Sequence, residues 1–219
     1  MQLPHALHGQ LYLLAYDRAH RRFGGAGVNT RWLLHYALRA AILTDLYLAG
    51  SVEDRNGRVR CTATVHPDDP VLLEAQNDSG GWDWASWIAR GRERTQQAVN
   101  DQLQESGWIQ RRKCRKLGVI PAVRFEPFDQ DMVDTLGRRM IEVLRNAIDD
   151  KPAEPRLLAI GLIAVQAQMP VASSFIDNPQ QRAQLREMTF AAIEPILGLH
   201  QAIQNRFADI RSQLSSWGG

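Results

Sequence analysis

The chain has 219 residues, 26 of them Lys or Arg and 24 Asp or Glu, for a formal net charge of +2. At 44% hydrophobic and 23% charged it can bury a core, so disordered, collagen-like and low-complexity classes are excluded. The length fits one domain, taken as residues 1–219, and the near-neutral charge argues mildly against nucleic acid as a partner.

The apolar run 11–16 ends at Asp17 and passes into a basic, Gly-rich loop, 18–27, that breaks regular structure. Asn29 or Thr30 then caps a helix whose apolar residues, from Trp32 to Leu48, cover most of its circumference before it stops at Gly50. A helix of that kind is central and buried. Asn56-Gly57, between the short runs 51–53 and 58–64, marks a hairpin. A short helix at 71–76 precedes a Trp-rich helix that runs from Trp82 through Arg90, Arg92 and Arg94 to Glu105, closing at Gly107. Residues 108–128 read as a basic strand, an apolar turn and a second strand. Helical periodicity returns at 131–149, 154–168, 179–197 and 198–216, with breaks at Pro152, Pro170 and 195–198. The expected fold is mainly α: a compact multi-helix domain around a central buried helix, with one or two small β-hairpins.

Signatures of hydrolytic and nucleotide chemistry are missing: the sequence has no GxSxG, HExxH or GxxxxGK[ST]. Gly24, Gly25 and Gly27 lack the flanking strand and helix of a phosphate loop. Cys61 and Cys114 lie far apart with no CxxC, which fits neither a zinc site nor a disulfide framework. Of the histidines only His5 and His8 are close, in a segment expected to fray. No catalytic residue, metal or cofactor is expected, and no enzyme. There is no uncharged apolar stretch of about 18 residues. The first residues also lack the charged start and apolar run of a signal peptide, so the expected location is cytoplasmic.

Two features ask for explanation. Arg39 is a permanent charge inside a helix that is otherwise apolar, and Arg31, His35 and Arg39 fall at i, i+4 and i+8 on one stripe. Taken alone, the stripe reads as a solvated edge, or as Arg39 pairing with a core carboxylate. A second cluster, Arg90, Arg92 and Arg94, follows the tryptophans.

The other feature is the 108–128 hairpin, whose basic arm 111–116 leads to the apolar residues Leu117, Val119 and Ile120. Each cation near anionic lipid contributes about 1 kcal/mol. Each apolar side chain fully inserted adds roughly 1.5–3 kcal/mol. Three uses remain open on these grounds: a membrane surface, a nucleic-acid wing, or a subunit contact that makes a homo-oligomer or holds a partner enzyme.

The order of segments resembles the Golgi phosphoprotein 3 family, including its bacterial relatives. The likeness lies in LYLLAYD (11–17), YALRAAILTDLYLAG (36–50), DPVLLEA (69–75), WIAR (87–90) with RER (92–94), and RLLAI (156–160). The second stretch is the most specific, and its Arg39 matches an arginine that helps hold phosphoinositide in eukaryotic members. The resemblance implies a non-catalytic adaptor on the cytoplasmic face of a membrane. Such an adaptor binds phosphatidylinositol 4-phosphate, or a bacterial substitute, together with protein cargo. Its pocket uses a tryptophan and three arginines, for which Trp32, Arg39, Arg90, Arg92 and Arg94 are the candidates here. Trp32 stands nearer to Arg39 than the family's spacing. Leu117, Val119 and Ile120 fall where the family carries its membrane-inserting hairpin. That shifts Arg39 from a structural to a binding role.

Overall fold

The first apolar run folds as helix α1 (Leu7–Leu14), followed by a two-residue ribbon of β1 (Tyr16–Asp17) and β2 (Arg22–Phe23), where a plain loop was expected. In this computed structural model, which describes residues 3–24, 28–62, 66–78, 81–90, 92–116 and 120–216, the hub is α2 (Val28–Leu48). Its Leu33, Leu34, Leu38, Ile42, Leu43 and Leu46 are all buried, and Ala37, Ala40 and Ala41 let neighbouring backbones come close. Burying each of the large side chains contributes about 1.5–3 kcal/mol, which is why this helix gathers the others around it. The caps expected at Asn29 or Thr30 have side chains outside the described residues.

Gly50, at φ +71°, closes α2, with the Ser51 N–H donating to the Leu46 carbonyl at 2.8 Å. The hairpin β3 (Val52–Arg55) and β4 (Arg58–Cys61) follows, turning at Asn56 and Gly57, both with positive φ as a tight primed turn requires. Asp69 caps α3 (Pro70–Asn77) by accepting from the Val71 and Leu72 amides. The single Trp-rich helix expected next is instead two, α4 (Trp84–Ala89) and α5 (Arg92–Glu105). Arg90 takes an extended backbone, φ −86° and ψ 156°, and its N–H closes α4 on the Trp87 carbonyl. Gly91, next in sequence, is a poor helix former and favours a break there.

Strands β5 (Ile109–Lys116) and β6 (Ile120–Pro127) form the long antiparallel hairpin expected at 108–128, pairing from Ile109 with Pro127 to Lys116 with Ile120. Helices α6 (Gln130–Ile148), α7 (Pro155–Gln166), α8 (Ser173–Ile176), α9 (Pro179–Phe190) and α10 (Glu194–Ser216) complete the chain. The fold is mainly α, with ten helices and three small two-stranded sheets among the described residues. Helices α1, α3, α4, α5, α7 and α10 all pack on α2. Among the described residues no single helix is long and apolar enough to cross a membrane.

The break expected at 195–198 moves upstream. Pro195 sits in the first turn of α10, where its missing N–H is no loss, and Gly198 lies inside the helix. The reason is packing: a Cβ at Gly198 would stand 2.5 Å from the Cβ of Trp84 and 3.1 Å from its backbone carbon. Gly198→Ala is therefore expected to destabilise the fold by about 1–3 kcal/mol, seen as a lower midpoint in urea. An unchanged midpoint would mean that α4 and α10 do not meet there.

The N-terminal segment is docked rather than frayed. His8 is buried, with Nε2 2.9 Å from Gln102 Oε1, and the Leu7 N–H donates to Asp45 Oδ2 at 2.6 Å. Asp45 also holds Arg156 Nη2 at 2.7 Å, so one carboxylate of α2 fastens α1 and α7. Burial pushes the Asp45 carboxyl above its ordinary pKa, against the opposing pull of Arg156 and the Leu7 amide. A group raised in the folded state holds its proton longer there, so its contribution is full below the unfolded value of about 3.9 and fades as pH rises through the folded one. Relative to Asp45→Asn, the native protein should lose stability as pH climbs from 4, which urea melts across pH would record. A constant difference would contradict it.

Candidate functional site

Arg39 lies midway along α2 and is only 4% exposed. Its Nη2 donates to the Trp87 carbonyl at 3.2 Å and stands 3.7 Å from Asp78 Oδ2, while its Cζ is 5.7 Å from the Trp87 ring centroid. Nε has no hydrogen-bond partner among the described residues. Burial draws its pKa below the ordinary arginine value; Asp78 and Glu74 oppose the shift and Arg90 adds to it. Arginine starts so far above neutrality that the charge persists. A buried cation with one neutral acceptor and a carboxylate beyond hydrogen-bond reach is under-satisfied, which makes it a candidate binding group.

Around this guanidinium opens a groove of about 1420 Å³. Helix α2 contributes Trp32, His35, Arg39 and Ile42, α3 contributes Val71, Glu74 and Ala75, and its C-cap residue Asp78 follows. Arg90, at the end of α4, and Arg94, Thr95 and Gln97 of α5 line it as well, with Arg206 from α10. Four arginines and two carboxylates therefore share one concavity. Arg90 is fixed by stacking, its Cζ 4.1 Å from the ring centroid of Trp82.

The structure thus brings together Trp32, Arg39, Arg90 and Arg94, which are far apart in sequence. The Arg92 side chain lies outside the described residues, as does that of Arg31 from the predicted stripe. His35 lines the groove beside Arg39, one helical turn away on the same face. Sequence reasoning missed Arg206, which no local pattern singles out. It also missed the groove role of Glu74 in the last turns of α3 and of Asp78, the residue that caps its C-terminus.

The hairpin is a separate feature. Leu117 and Val119 lie outside the described residues, and Ile120 opens β6 with its side chain also outside them. Arg111, Arg112 and Lys113 of the basic arm are exposed. At the hairpin's base, buried Glu126 lies 2.9 Å from both Arg21 and Arg124 and 3.8 Å from Arg112. One carboxylate under three guanidinium groups ties β6 to the β1–β2 ribbon and leaves the base cationic. Val123 and Phe128 are exposed apolar side chains on the same element and just beyond it.

Buried helical hub, arginine-lined groove and long basic hairpin define a mainly α domain that carries one long two-stranded ribbon. The profile of the Golgi phosphoprotein 3 (GPP34) family matches residues 7–203, and the chain belongs to that family. Comparison with the curated proteins gives no match. Among the described residues no three His, Cys, Asp or Glu side chains group as a metal site.

Proposed function

We propose that the protein is a non-catalytic adaptor on the cytoplasmic face of a membrane. The groove around Arg39 holds a phosphorylated lipid headgroup, the hairpin tip at Leu117, Val119 and Ile120 enters the bilayer, and other faces recruit protein partners. Phosphatidylinositol 4-phosphate and its bacterial substitutes are the candidate lipids. The observation that carries this reading is the convergence of Trp32, Arg39, Arg90 and Arg94 on one groove, around a buried guanidinium short of partners. Arginine forks pair phosphate oxygens bidentately and keep their charge at any physiological pH. A cationic hairpin base adds attraction for an anionic surface, and neither term anchors a protein alone.

The test is co-sedimentation with vesicles that differ only in headgroup: phosphatidylinositol 4-phosphate, phosphatidylglycerol, phosphatidylethanolamine or phosphatidylcholine. The native protein should discriminate among them, and Arg90→Ala with Arg94→Ala, two exposed positions, should remove the discrimination. Binding that is indifferent to headgroup, or untouched by the double substitution, would overturn the groove's role.

A further inference from the structure

The groove is not simply basic. Glu74 of α3 and its C-cap residue Asp78 line the concavity that Arg39, Arg90 and Arg94 line from other elements. Glu74 is exposed and makes no ion pair within 4 Å among the described residues, and Asp78 is half exposed and reaches only Arg39, at 3.7 Å. Arg90 and Arg94 likewise have no carboxylate partner among the described residues. Arg39, more than nine-tenths buried, keeps its Nε without a hydrogen bond among the described residues. Opposite charges thus share one groove, paired among the described residues only by the loose Arg39–Asp78 contact at 3.7 Å. The carboxylates come from the C-terminal end of α3 and the guanidinium groups from other segments.

A headgroup with an additional monoester phosphate, about −1.5 to −2 in charge, would set like charge against Glu74 and Asp78. A phosphate diester that also carries a cation meets both kinds of group with its opposite. The carboxylates accept hydrogen bonds, so a primary ammonium, with three N–H donors, satisfies them; a quaternary ammonium has none to give. We propose that the groove reads a phosphate ester bearing a primary amine, the chemistry of a phosphoethanolamine headgroup, with the phosphate on Arg39, Arg90 and Arg94 and the ammonium on Glu74 and Asp78. This rests on the reading that the groove holds a phosphorylated headgroup.

The experiment compares phosphatidylcholine vesicles carrying equal mole fractions of phosphatidylethanolamine, phosphatidylglycerol or phosphatidylinositol 4-phosphate. It uses the native protein and Glu74→Gln with Asp78→Asn, near-isosteric changes at exposed positions. The expected result is preference for phosphatidylethanolamine, about tenfold or more, lost in the variant while phosphatidylglycerol binding holds or rises. Tighter native binding to phosphatidylglycerol or the phosphoinositide, with only a uniform gain in the variant, would make the carboxylates a gate against anions. That outcome overturns the amine and leaves the lipid reading intact. Binding to no vesicle overturns the lipid reading. A second arm titrates free glycerophosphoethanolamine, the diester headgroup without its acyl chains, against inorganic phosphate, following tryptophan fluorescence. Saturation by the amine compound alone, without vesicle binding, keeps the recognised chemistry and overturns the membrane as its source. No preference for phosphatidylethanolamine in the first arm together with no response to glycerophosphoethanolamine in the second overturns the proposal itself.

Discussion

Arg39→Met is expected to weaken headgroup binding by roughly ten- to a hundredfold, the equivalent of one or two hydrogen bonds to a charged group. The same change should leave stability within about 1 kcal/mol of the native value or raise it. The two halves of the expectation have separate causes. A buried guanidinium that pairs poorly is costly to the fold, and Met fills similar volume without a charge to desolvate. The groups left behind are not stranded: Asp78 is half exposed to water, and the Trp87 carbonyl still accepts from the Arg90 N–H at 3.2 Å. Urea melts and vesicle binding on one preparation check both halves. A strongly destabilised variant would make Arg39 a structural residue, and full binding would remove it from the site.

The second large effect belongs to the hairpin tip. Leu117→Asp with Ile120→Asp should abolish stable vesicle binding, because each inserted apolar side chain contributes roughly 1.5–3 kcal/mol and each added carboxylate resists entry. The groove should survive, so a soluble headgroup analogue should still bind, and the helical circular dichroism signal should not change. Such a result would separate recognition from anchoring. Undiminished vesicle binding would contradict insertion by the tip.

Arg39 stood out in the sequence because charge is rare on a helix as apolar as α2, and the same saturation with Leu and Ala announced that helix as the hub. The long hairpin was legible for a related reason, since its basic arm, turn and alternating return strand match no helical period. What stayed hidden depends on contacts between segments. Gly198 reads as a helix breaker until Trp84 is seen against it, which makes a small residue necessary inside α10. The break at Arg90 was not expected, because a lone glycine such as Gly91 is often tolerated inside a helical pattern and the residues beyond it are adequate helix formers. Glu74 and Asp78 look like any solvated helix face, and periodicity tells which residues share a side but not what that side meets. Asp45 looks in sequence like one polar residue at the end of an apolar helix, and its task of holding Leu7 and Arg156 needs three elements in place.

The most direct measurement is amide hydrogen exchange of the native protein with and without vesicles of the preferred lipid. If the groove and the hairpin face the membrane together, protection should rise in two places at once. One is the hairpin 109–127, and the other is the groove formed by the first half of α2, α3 and the start of α5, while α6 and α9 stay unchanged. Protection confined to other helices, or absent from the groove while the hairpin is covered, would contradict a headgroup held at Arg39.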